Sequence, residues 1–163
     1  MKKVLLTLCF LFAFTFTSSA QSGWSITYKK ADELLGEKAV TSFMYKSLAG
    51  SFVFWDNTEE RFRLNTYKGI FNYQGQYMRF LATVGIYDSD NNLVKSMKVI
   101  MSCPSDQPSS AFSYSDRKDK KLAKDIISFL KTPSDGYIRI VAPIYGSNPD
   151  LDIKIPCLAK DLD

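Results

Sequence analysis

From Gln76 to Tyr87 the chain alternates between two kinds of side chain at nearly every step. Met78, Phe80, Ala82, Val84 and Ile86 fall on one side, and Tyr77, Arg79, Leu81, Thr83, Gly85 and Tyr87 on the other. A period of two belongs to an extended strand, whose successive side chains point to opposite faces. One face so continuously apolar demands a core beneath it, and one strand cannot supply that core alone. The same rhythm recurs at 24–29, 39–46, 51–55, 61–67, 93–101, 137–145 and 151–157. Asp56-Asn57-Thr58-Glu59, Asp88 to Asn92 and Gly146 to Asp150 read as hairpin turns, so neighbouring strands are expected to run antiparallel.

One segment has a different period. Leu122, Ile126 and Leu130 recur every four residues with Ala123 and Ile127 beside them, which predicts an amphipathic helix over 118–131. Asp116 is placed to cap it, and Lys131 and Pro133 mark its end. The Ser/Pro-rich stretch Ser102 to Ser115 shows no period and reads as a long loop, tethered by Cys103. The expected fold is mainly β (α+β): an antiparallel β-sandwich or strongly bent sheet of about eight strands, with the helix packed on it. A closed β-barrel is the alternative.

Residues 1–20 have the layout of a secretory signal peptide. Met1-Lys2-Lys3 is basic, Val4 to Phe16 is apolar, and Thr17-Ser18-Ser19-Ala20 is a run of small residues, with cleavage expected after Ala20. The apolar stretch is well short of the roughly 20 residues that span a bilayer. Cys9 lies inside it rather than at its end, which argues against a lipid-modified cysteine. Export to the periplasm or the medium is therefore expected, with residues 21–163 forming a single β-rich domain and no transmembrane segment in it.

Without the leader the chain carries nineteen basic and seventeen acidic residues, a net charge of +2, which is too mild to point to nucleic acid. Histidine is absent. That removes the usual general base near neutral pH and the commonest metal ligand, and with them Ser-His-Asp, Cys-His and His-zinc chemistry. No cofactor, metal or catalytic set is expected. Cys103 and Cys157 remain for an oxidising compartment, each beside a proline at a strand end. A disulfide between them would close a loop worth roughly 4 kcal/mol in the chain-entropy account; two separate buried thiols are the alternative.

The polar faces of three strands repeat one composition. Arg61, Arg63, Asn65 and Tyr67 share a side of 61–67; Tyr77 and Arg79 share a side of 76–87; Tyr137, Arg139 and Tyr145 share a side of 137–145. Four of the five arginines fall on these faces. Arginine gives bidentate recognition of carboxylate or sulfate, and tyrosine a flat surface with a polar tip. Arg63, Arg79, Arg139, Tyr77, Tyr137 and Tyr145 are the candidate ligand-binding residues. An ordinary solvent-facing sheet would carry the same residues.

Other patterns carry less. Tyr67 to Tyr77 mixes aromatics, amides and glycines as sugar-binding loops do, and as plain turns do. Asp88-x-Asp90-x-Asn92 opens like a calcium loop, but Leu93 and Val99 stand where glycine and glutamate are needed. Asp56, Glu59 and Glu60, or Asp32 and Glu33, are the carboxylates nearest to a hydrolytic pair. Arg117, Lys118, Lys120, Lys121, Lys124 and Lys131 form a basic helix face of the kind water commonly solvates. The expected function is a non-enzymatic exported binding domain for an acidic glycan or an envelope or protein partner. A carboxylate-dependent polysaccharide hydrolase, or a protease inhibitor presenting 102–115, are the alternatives.

Overall fold

The computed structural model describes residues 23–31, 38–58, 60–146 and 150–158. Residues 1–20, Asp32, Glu33, Glu59 and residues 147–149 lie outside the described residues. The elements in chain order are β1 (Gly23–Lys29), β2 (Val40–Lys46), β3 (Gly50–Trp55), β4 (Phe62–Thr66), β5 (Met78–Tyr87), β6 (Leu93–Cys103), β7 (Ser110–Ser113), α1 (Arg117–Lys131), β8 (Tyr137–Ala142) and β9 (Leu151–Pro156). A single 3-10 turn, Asp56–Thr58, follows β3.

All nine strands join one antiparallel sheet in the order β1-β2-β3-β4-β7-β6-β5-β8-β9. The strongly bent sheet expected from the alternation is the one observed. The ladders are shortest at β7, which offers only Arg63–Phe112, Leu64–Ala111 and Asn65–Ser110 pairs to β4, and Met101–Ser113 and Ser102–Phe112 pairs to β6. With so short a ladder the two halves fold toward one another across their apolar faces. Phe52, Phe54, Phe62 and Leu64 from one half meet Ala82, Val84, Val99, Met101, Ile138, Ile140 and Ile153 from the other in one buried core.

The barrel alternative is not what forms. The outermost strands β1 and β9 share no ladder; the Trp24 indole N–H donates to the Pro156 carbonyl across the gap at 3.1 Å. Beyond the strands, Ile70 and Tyr145 exchange backbone hydrogen bonds of 3.0 and 2.7 Å and draw two loops together.

Helix α1 packs into the concave side through Ala123, Ile126, Ile127 and Leu130. Asp116 caps it, accepting from the Lys118 and Asp119 N–H groups at 3.0 and 2.9 Å, as the sequence pattern implies. Asp119 is buried on the underside, with the Ile100 N–H 3.5 Å away. Burial there raises its carboxyl above the usual range.

The expected Cys103–Cys157 bridge is absent: both cysteines are free and buried. Their positions explain why. Cys103 pairs with Met78 at the start of β5, whereas Pro156 lies level with Tyr137 and so with Tyr87 at its end. A ten-residue strand separates those ends by about 30 Å, while bridged Cα atoms lie within about 7 Å. Each thiol instead meets main-chain carbonyls nearby: Gln107 at 3.5 Å for Cys103 and Phe129 at 3.5 Å for Cys157. Burial pushes the Cys103 thiol up to about 11. We expect the chain from Gln21 onward to yield two titratable thiols once unfolded in guanidinium, and almost none while native. A denatured chain with no free thiol would mean the fold is bridged after all.

Candidate functional site

The outer face of the sheet is set by the register. Because Phe62, Leu64 and Thr66 of β4 are buried, Arg61, Arg63 and Asn65 turn outward. On β7, Ala111 and Ser113 face the core, so Ser110 and Phe112 face out, and Tyr114 continues that side. Reading across the strands gives a row: Val53, Arg63, Phe112, Ser102, Arg79. Arg63 and Arg79 thus share one face, three strand spacings or about 14 Å apart. A second row, Ser51, Asn65 and Ser110, is stitched by hydrogen bonds of 2.8 Å from Asn65 Nδ2 to Ser51 Oγ and 2.7 Å from Ser110 Oγ to Asn65 Oδ1.

The arginines lie against aromatic rings. The Arg61 guanidinium carbon is 5.3 Å from the Phe112 centroid, and that of Arg63 is 6.0 Å from the same ring and 5.7 Å from Trp55. Arg79 lies 4.1 Å from the Tyr114 ring and 5.6 Å from Tyr77, and its Nη2 donates to the Tyr114 hydroxyl at 2.8 Å. Hydrogen bonds to Tyr77 and Tyr114 raise its pKa further, so it is always charged. Contact with a ring restrains the planar guanidinium while leaving most of its N–H groups unused. Among the described residues none of these three arginines has an ion-pair partner. The Arg63 Nε, buried against its neighbours, has no hydrogen-bond acceptor among the described residues.

Arg139 is different. Its Nε donates to both Asp152 oxygens, at 2.9 and 3.2 Å, in a bidentate pair that raises the guanidinium and lowers the carboxylate. Tyr137 stacks on Tyr87 with centroids 4.8 Å apart and planes at 3°, and the Lys154 ammonium lies 3.7 Å from its centroid. Gly85 leaves room for that stack, since a Cβ there would lie 2.8 Å from the Tyr87 ring. Arg139 and Tyr137 therefore face outward but belong to a separate cluster on β8 and β9, in which Asp152 already pairs with Arg139. Tyr145 lies beyond β8, against Tyr73 with centroids 4.1 Å apart. Of the six candidates, Arg63, Arg79 and Tyr77 come together; Arg139, Tyr137 and Tyr145 do not join them. Arg61, Trp55, Phe112 and Tyr114 complete the patch.

Beside this patch the turn after β3 and the start of α1 enclose a groove of about 490 Å³. Asp56, Asn57, Glu60, Arg61, Ser115, Lys120 and Lys124 line it. Lys120 Nζ is 3.1 Å from Glu60 Oε2, and Lys121 and Lys95 both reach Asp125 at 3.3 Å. Arg117 and Lys124 have no ion-pair partner among the described residues. Asp56 accepts the Thr41 N–H at 2.9 Å, and hydrogen bonding to Thr41 holds its carboxyl below the usual range. A glycosidase general acid needs the opposite shift. The carboxyl that does rise, Asp119, lies under the helix and does not line the groove.

Ser102 to Ser115 is not one free loop. Its ends belong to β6 and β7, and the remainder is held by Pro108, whose carbonyl accepts from Phe71 and Asn72 at 2.7 and 3.3 Å. The Thr66 N–H donates to the Ser109 carbonyl at 3.0 Å. Hydrogen bonds, rather than a disulfide, provide the tether. Among the described residues no group of three or more acidic or cysteine side chains could hold a metal ion, and no described helix is long and apolar enough to cross a membrane. No family model, no curated protein and no solved structure matches the chain.

Proposed function

We propose that the protein is an exported, non-enzymatic binding domain whose outer sheet face, built on Arg61, Arg63 and Arg79, captures a ligand bearing carboxylate or sulfate groups. One observation carries the reading: three guanidiniums lie against aromatic rings within one patch, and among the described residues no carboxylate pairs with them. Arg61 and Arg63 repel one another across a shared ring, and an anion between them removes that repulsion. The leader-like residues 1–20 support placement outside the cytoplasm, with cleavage after Ala20.

The test compares dextran sulfate with unmodified dextran as ligands for residues 21–163. Dextran sulfate should bind at low salt and be released near 1 M salt, where the screening length falls to about 3 Å. Neutral dextran should not bind. Equal binding of both polymers, or binding indifferent to salt, would refute the proposal.

A further inference from the structure

The outer face and the groove are two parts of one surface. Arg61 belongs to both, since its guanidinium lies over Phe112 and its side chain lines the groove. The segment from Phe112 to Ser115 also runs through both: Phe112 and Tyr114 carry the arginines, and Ser115 forms a groove wall. On the other flank Trp55, under Arg63, is followed directly by the groove residues Asp56 and Asn57. The groove then opens along α1 into a recess of about 450 Å³ reaching Arg117 and Lys121. Cationic side chains therefore recur along this surface: Arg79 lies about 14 Å from Arg63 across β6 and β7, and Arg61, Lys124 and Lys120 follow around the groove, whose wall also holds Asp56 and Glu60.

We infer that the ligand is a linear acidic polysaccharide, laid along this track with one anionic unit on the outer face and the next in the groove. The inference rests on the anion-binding reading above and adds the length and class of the ligand. A single small anion needs neither the second site nor a groove of this volume. No apolar residue lines the groove: every side chain at its wall ends in a charge, an amide or a hydroxyl. Such a wall suits a chain of hydroxyl groups, with Asn57, Ser115 and the ionised Asp56 as partners, and it suits an apolar peptide side chain poorly. Glu60 is the internal competitor. Its carboxylate occupies the Lys120 ammonium that an incoming anion would use.

Heparin-derived di-, tetra- and octasaccharides, titrated calorimetrically into residues 21–163, test this directly. Affinity should rise by about 100-fold from disaccharide to octasaccharide, as joined units bind along one track. Lys120→Gln with Lys124→Gln should cost the octasaccharide about tenfold and leave the disaccharide unchanged, while Glu60→Gln should strengthen octasaccharide binding. All three substitutions are on exposed side chains, and circular dichroism checks that the fold survives. Equal affinity for every length, with the lysine variants silent, would confine the ligand to the sheet face and overturn the inference alone. An oligoglutamate peptide of matched charge binding as tightly as the octasaccharide would overturn the choice of a glycan. Failure of every saccharide, dextran sulfate included, would remove the anion-binding reading itself.

Discussion

Arg61→Gln combined with Arg63→Gln should weaken binding of dextran sulfate by about 100-fold and leave the urea unfolding midpoint close to that of the parent. A hydrogen bond to a charged group contributes about 1.5–3 kcal/mol, and two such contacts at a partly solvated patch fall near the lower end, or about two decades in Kd. Stability should change little because neither arginine has an ion pair to lose among the described residues, and the rings beneath them stay in place. Arg139→Gln is the matched control. It removes an arginine from the same outer side of the sheet, but one already bound by Asp152, so affinity should move by less than about twofold. If Arg139→Gln proved as damaging as the double substitution, net charge rather than the aromatic-backed patch would govern binding. The patch would then lose its status as the site.

Faces were legible in the sequence; neighbours were not. Alternation alone places Arg63, Arg79 and Arg139 on the solvent side of their strands, because Leu64, Phe80 and Ile140 beside them need a core. Eight of the nine strands and the helix follow from such patterns. The ninth, β7, does not, because Ser110–Ser113 is four residues long and sends a serine to the core. Ser113 is fully buried and accepts the Phe62 N–H at 3.0 Å, a role that no hydropathy pattern reveals. Missing β7 conceals the site, since β7 stands between β4 and β6 and carries the ring that Arg61 and Arg63 share. Register is equally invisible from sequence. Arg139 lies opposite Lys154, and its true partner Asp152 is one diagonal step away. The cysteines show the same limit: both end strands beside prolines, yet at opposite ends of the sheet.

Phe62→Ala should destabilise the domain by about 3–5 kcal/mol in urea unfolding, the usual cost of emptying a fully buried phenylalanine site. That is a large part of the roughly 5–15 kcal/mol that holds a domain of this size together. The position magnifies the effect. Phe62 packs against Phe52 with centroids 5.0 Å apart, and its N–H is bonded to the Ser113 hydroxyl on β7. It therefore sits on the short ladder where the two halves of the sheet are joined, and a cavity there loosens contacts on both sides. Leu81→Ala, at an outward position 52% exposed, should change stability by less than about 0.5 kcal/mol. Phe62→Leu supplies a milder step, about 1 kcal/mol, should the alanine variant fail to fold. A Phe62→Ala loss no greater than that of Leu81→Ala would mean the halves do not close over this ring. The short ladder through β7, which sets Arg63 and Arg79 in one row, would then be in doubt as well.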